Sequence, residues 1–107
     1  MMYANETLNF YIKQAADENN IPITVANIHS SDVFYKEDNN FKELYEKYGC
    51  MCVEMESFAL FHNANILNKK AACILTISDS LVTKEETTSE ERQKSFNKMI
   101  ELALKSL

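Results

Sequence analysis

Residues 50–68 read CMCVEMESFALFHNANILN, and the fold turns on how this stretch is divided. Its first five residues, Cys50–Glu54, are short and largely apolar, the pattern of a strand. From residue 55 the period changes. Met55, Phe58, Ala59, His62 and Ile66 recur at helical spacing on one face, with an apolar stripe broad enough to predict a largely buried helix over residues 55–68. A strand that runs into a helix with almost no turn between them is a unit of α/β architecture, and the flanking sequence is read outward from it.

Upstream, Phe41, Leu44, Tyr45 and Tyr48 repeat the helical spacing, and Gly49 follows where a helix end needs a residue free to take positive φ. Residues 21–28, IPITVANI, are β-branched and bounded by polar residues, with Pro22 near the start where a strand tolerates one. A strand is expected there. Before it, Leu8, Tyr11, Ile12, Ala15 and Ala16 mark an amphipathic helix from Asn5 to Asn19, closed by an Asn19-Asn20 turn.

Downstream, residues 71–77, AACILTI, are the most strand-like segment of the chain. After a polar loop, Thr88 and Glu91 form a T-x-x-E capping box, and Phe96, Met99, Ile100, Ala103, Leu104 and Leu107 trace one helical face. The order helix, strand, helix, strand, helix, strand, helix predicts an α/β class: a layered αβα arrangement whose largely parallel sheet is flanked by helices.

With 107 residues and no internal repeat or linker, a single domain over residues 1–107 is expected, burying roughly 65% of its unfolded surface. The net charge is −5 and the cations are scattered, which argues against nucleic-acid binding. No apolar run approaches the roughly 20 residues of a membrane span, so a cytoplasmic protein with no membrane partner is expected. The three cysteines read as small buried hydrophobes, with neither a disulfide framework nor a zinc site, and His29 and His62 read as isolated, non-catalytic residues. The chain has one glycine, hence no Gly-rich loop to present several N–H groups to a phosphate.

Ligands of open α/β sheets gather beyond the carboxyl ends of the strands. Three polar clusters occupy such positions: residues 29–35 (HSSDVFY), residues 54–57 (EMES) and residues 78–80 (SDS). Arg92 lies four residues before Phe96, on the face of the apolar stripe, where a guanidinium is costly unless it meets an anion. Two readings fit it: a structural ion pair with Asp79, or a functional pairing at a site. Glu56 also has two readings, since a carboxylate at the start of a helix stabilises the helix dipole, and it can equally accept two hydrogen bonds from a vicinal diol of a sugar.

VEMES at residues 53–57, TISDS at residues 76–80 and TTSEERQKSF at residues 87–96, in this order and spacing, resemble the bacterial-type hexameric purine nucleoside phosphorylases. SSDVFY at residues 30–35 and EKYG at residues 46–49 are similar to the same family. The likeness spans essentially the whole chain and corresponds to the C-terminal half of a typical member. It implies reversible phosphorolysis, in which inorganic phosphate as co-substrate displaces the purine of a nucleoside to give free base and pentose 1-phosphate, with no cofactor and no metal.

Carried over residue by residue, the resemblance implies that Asp79 protonates the purine at N7 and that Arg92 swings in to assist. It implies stacking of Phe34 on the base with Tyr35 beside it. Val53 and Glu54 would line the base pocket through their backbone, Met55 would pack on the ribose, Glu56 would bind its hydroxyls, and Ser78 would help to hold the acid. The family's phosphate loop and second phosphate-binding arginine belong to the half that this sequence does not match. What the chain holds therefore resembles a base-and-ribose half-site, and a homo-oligomer or a partner chain supplying the N-terminal half is expected. The alternatives are a non-catalytic nucleoside-binding or oligomerisation remnant and a related nucleosidase that uses water, against which Arg92 weighs.

Overall fold

The computed structural model describes residues 1–31, 41–78 and 87–107. In chain order its elements are helix α1 (Glu6–Glu18), strand β1 (Asn27–Ser30), helix α2 (Phe41–Tyr48), strand β2 (Cys50–Glu54), helix α3 (Ser57–Ile66) and helix α4 (Ser89–Lys105). The α/β class expected from the alternation is present: four helices and a small parallel sheet among the described residues. None of these helices is long and apolar enough to cross a membrane. The chain divides into two compact units, one of residues 1–3 and 24–71 and one of residues 4–23 and 72–107.

In the first unit β1 and β2 pair in parallel, with Ile28 opposite Cys52, His29 opposite Val53 and Ser30 opposite Glu54. Parallel neighbours need a crossover, and the connection that contains α2 provides it. Asn27, at the start of β1, ties that strand to the end of α2, its side-chain N–H donating to the Tyr48 carbonyl at 2.7 Å. Gly49 follows at φ +65°, in the left-handed region predicted for a helix end, and its N–H bonds the Tyr45 carbonyl at 2.9 Å.

With only one glycine to spend, the chain ends two other helices on asparagine. Asn20 and Asn68 both stand at φ 54°. After α1, Ile21 N–H returns to the Ala16 carbonyl at 2.9 Å, and after α3, Lys69 N–H returns to Ala64 at 2.8 Å. Both are the six-to-one bond of a Schellman motif, in which asparagine is the usual substitute for glycine. At the other end of α1, Asn5 caps the helix by accepting the Leu8 N–H at 3.0 Å.

The second unit packs α1 against α4 around a small core. Ala15, Ala16 and Leu102 are buried, with Leu102 only 2% exposed, and Ile12, Ile21 and Ile74 pack on them. The alanines let the helices approach closely while Leu102 fills the space between. Lys105 links the helix ends by donating to the Asn19 side-chain oxygen at 2.7 Å. Thr88 caps α4 as expected, accepting the Glu91 N–H at 3.1 Å. The box closes differently from the usual form, because the Glu91 carboxylate takes the Thr88 hydroxyl at 3.0 Å.

Three expectations are corrected. The first strand covers residues 27–30, not 21–28, because Ile21 is used up closing α1 and Ser30 is the residue that registers with Glu54. Residues 71–77 form no strand. Their β-propensity is high, but a strand also requires a neighbouring backbone, and the ladder of β2 goes to β1; instead Ile74 and Thr76 attach the segment to its helices, the latter donating its hydroxyl to Met99 Sδ at 3.3 Å. Finally, α3 is shorter than residues 55–68 and is not largely buried: Ser57 is buried and Phe61 and Ala64 are half-buried, whereas Phe58, Leu60 and Ile66 are exposed, the last by 68%.

Candidate functional site

In the first unit the C-terminal ends of β1 and β2 meet the start of α3, and the strand register brings Ser30 beside Glu54. The Glu54 carboxylate is the centre of this junction. It accepts the Glu56 N–H at 2.7 Å and the Ser57 N–H at 2.8 Å, and it accepts the Ser57 hydroxyl as well. The Ser30 hydroxyl stands close enough to the same carboxylate to help lower its pKa. Around it, Phe58 N–H donates to Ser30 Oγ at 3.2 Å and Ser31 N–H donates to the Glu54 carbonyl at 2.8 Å. Ser31 and Ser57 are both buried.

Partial burial pushes the Glu54 carboxyl toward its neutral form, but the Ser57 hydroxyl, the two N–H groups and Ser30 outweigh that and hold it below its ordinary value. Glu54 is therefore an ionised helix cap. The residue in the N-cap position itself, Glu56, makes no capping bond with its side chain. Its carboxylate accepts only the Met55 N–H, at 3.2 Å, and is otherwise exposed among the described residues. Of the two readings open for Glu56, capping falls to Glu54 two residues earlier, which leaves a carboxylate free at the turn. Val53 and Met55 flank it and are partly exposed, at 39% and 41%.

Cys50 and Cys52 alternate with Met51 and Val53, so they lie on the half-buried face of β2. Burial, with the neighbouring Glu54 and Cys50, pushes the Cys52 thiol up from its ordinary value. That keeps it protonated, in accord with a packing role. No group of three or more His, Cys, Asp or Glu side chains among the described residues is placed to hold a metal ion. His62 is exposed and stacks on Phe58, with ring centroids 6.1 Å apart.

In the second unit the Ser78 carbonyl accepts both the N–H and the hydroxyl of Thr87, at 3.2 and 2.8 Å. Residues 78 and 87 are thereby joined, and α4 begins immediately afterwards. Arg92 lies in the first turns of that helix, half-buried, and makes no ion pair among the described residues. Asp79, Phe34 and Tyr35 lie outside the described residues.

The structure therefore brings Val53, Glu54, Met55 and Glu56 together at one strand-to-helix turn, and it joins Ser78 to Thr87, just before the helix of Arg92. Sequence reasoning missed the roles of Ser30 and Ser57. The signal for Ser57 was present as E-x-x-S, a carboxylate three residues before a hydroxyl at the start of a helix; the signal for Ser30 was not, since only strand register pairs it with Glu54.

A family model described as the Phosphorylase superfamily matches residues 1–107. Among curated proteins, the chain is 48% identical over 91 residues to a protein of Bacillus velezensis named purine nucleoside phosphorylase DeoD-type, a match covering 85% of this chain and 39% of that protein. It is 46% identical over 93 residues to the protein of the same name from Bacillus subtilis, covering 87% of this chain and 40% of the relative. Against that of Brevibacillus brevis the identity is 44% over 101 residues, covering 94% and 43%. The chain spans about two fifths of the length of these relatives.

Proposed function

The chain belongs to the phosphorylase superfamily, and on that premise we propose that it supplies the base- and ribose-binding portion of a purine nucleoside phosphorylase acting in purine salvage. The observation that carries the reading furthest is the division of labour at the VEMES turn. Glu54 is consumed by the backbone and by two serines, so Glu56 retains an oxygen without a partner among the described residues, at a strand end and beside exposed Met55. A carboxylate so placed accepts hydrogen bonds from the 2′- and 3′-hydroxyls of a ribose. Bonds from neutral donors to a charged acceptor are about twice as strong as neutral ones, which suits recognition of a diol in water.

The reaction proposed is reversible phosphorolysis. The purine departs with the electron pair of the glycosidic bond, inorganic phosphate forms the new bond to the anomeric carbon, and a proton delivered to N7 neutralises the departing base. Asp79 is proposed as the source of that proton. General acid catalysis of this kind contributes typically about 10²–10⁴-fold. An ordinary aspartate, at about 3.9, is ionised at neutral pH, so the acid must be desolvated, and a permanent cation beside it would work against that. Arg92, placed on the helix after the loop and unpaired with any described carboxylate, is proposed to assist only during the reaction. Phe34 and Tyr35 are assigned to the base, with the backbone of Val53 and Glu54; Ser78 is assigned to holding Asp79.

Phosphate is proposed to be held by polypeptide corresponding to the part of the relatives that this chain does not match, whether continuous with residues 1–107 or a separate subunit. The exposed Phe58, Leu60 and Ile66 of α3 are the apolar surface proposed to pack against it. Calorimetric titration of adenosine and inosine into the protein, followed by phosphate-dependent release of free base, tests the reading. Binding that weakens at least tenfold in Phe34→Ala and in Glu56→Gln is expected. Absence of binding to the unaltered chain, or binding indifferent to both substitutions, would sink it.

A further inference from the structure

The Glu54 carboxylate has two oxygens and roughly four lone-pair positions. Three donors bond it, the N–H groups of Glu56 and Ser57 and the hydroxyl of Ser57, and the Ser30 hydroxyl stands close enough to favour its charged form. Little acceptor capacity is left on it for a ligand. These groups come from three places in the junction, since Ser30 ends β1, Glu56 is the turn itself and Ser57, which donates twice, opens α3. Ser30 also receives the Phe58 N–H, so it holds the first turn of the helix to the sheet from the other side. The backbone of residues 54–58 is thereby tied at three consecutive amides, and the charged side chain of the turn that takes no part in the cluster is that of Glu56.

We propose that Ser30 and Ser57 are positioning residues, acting through the Glu54 carboxylate to hold the Met55-Glu56 turn so that the Glu56 carboxylate meets the ribose hydroxyls. The inference rests on the functional reading above and adds to it which side chains set the geometry of the diol acceptor. A carboxylate on a loosely held turn must be ordered at the moment of binding; one on a turn tied by a filled network is already in place, and the affinity that would be spent on ordering is kept. Because the network acts through Glu56, its loss is felt only while Glu56 is there to be positioned.

Adenosine and inosine are titrated into the full chain carrying Ser57→Ala, Ser57→Thr, Glu56→Gln and the Ser57→Ala/Glu56→Gln pair, with each variant's thermal unfolding recorded. The expected result is an affinity about tenfold lower for Ser57→Ala with cooperative unfolding retained, recovery in Ser57→Thr, and no further loss when Ser57→Ala is added to Glu56→Gln. Losses that simply add, or a Ser57→Ala protein that binds as the unaltered one does, would overturn the proposal. In the same samples, carboxyl carbon resonances are followed against pH. Glu54 is expected below the ordinary carboxylate range in the unaltered chain and to rise in Ser57→Ala; an ordinary Glu54 overturns the network whatever the titrations give. A chain in which Glu54 behaves as expected but neither nucleoside binds refutes the functional reading and, with it, the role of the turn in holding a ribose.

Discussion

Ser57 is joined to Glu54 twice, its N–H donating to Oε2 at 2.8 Å and its hydroxyl to Oε1. One carboxylate thus ends a strand and starts a helix, and hydrogen bonds tie the turn between them at both ends. Their strength depends on Glu54 remaining ionised.

That dependence fixes the sign of a pH effect. The Glu54 carboxyl lies lower in the folded chain than its ordinary value of 4.5. A group lowered by folding stabilises the fold above its unfolded value, and the contribution disappears as pH falls through the folded value. Urea midpoints of the unaltered protein and of Glu54→Gln are therefore expected to differ most at neutral pH and to converge as pH is taken well below 4.5. A gap that stays constant across the titration would contradict the assignment.

At the start of α4, Thr88→Ala removes the acceptor for the Glu91 N–H and the donor to its carboxylate. The expected cost is about 1 kcal/mol, the usual value of an N-cap. Thr88→Ser should restore most of it, since the hydroxyl is what caps. Equilibrium denaturation of the two variants side by side measures the difference.

Leu102 is the one large side chain that is fully buried among the described residues, and it sits between α1 and α4 against Ala15 and Ala16. Leu102→Ala leaves a cavity that neither alanine can fill, at an expected cost of about 2–5 kcal/mol. In a core this small, circular dichroism should show loss of helix at lower temperature, not a local change alone. By contrast, removing the exposed Lys94–Glu90 pair, 3.6 Å apart, should change stability by less than about 0.5 kcal/mol.

Asn68 holds a left-handed backbone at φ 54° after α3. Asn68→Ala is expected to destabilise the chain by about 1 kcal/mol, because a Cβ is disfavoured there and alanine lacks the polar side chain that lets asparagine tolerate it. Asn68→Gly should be neutral or stabilising. The ordering glycine, asparagine, alanine in unfolding midpoint checks the Schellman assignment at this helix end.

Much of this was legible in the residues. The 3.6-residue spacing placed α1, α2 and α4 within a residue or two, Gly49 and Asn20 marked ends where the backbone turns left-handed, and Thr88 marked the start of the last helix. Local signals are enough for such features because the hydrogen bonds that create them span three to five residues. The VEMES turn was legible for the same reason, as a charged cluster at a strand-to-helix junction. Its assignments were less so. Glu56 and Glu54 are two residues apart and chemically identical, and nothing local says which one caps the helix.

Tertiary structure decided that question, by placing Ser30 across the sheet from Glu54 through a parallel register that no spacing along the chain encodes. It also decided that, among the described residues, residues 71–77 pair with no strand for all their β-branched and apolar character, and that Phe58, Leu60 and Ile66 of α3 stay exposed. A strand and a buried face are both relations between segments distant in sequence, and their formation depends on what lies opposite. The ends of α1 and α2 and the Thr88 cap of α4 depend on their immediate neighbours, so the sequence alone determined them.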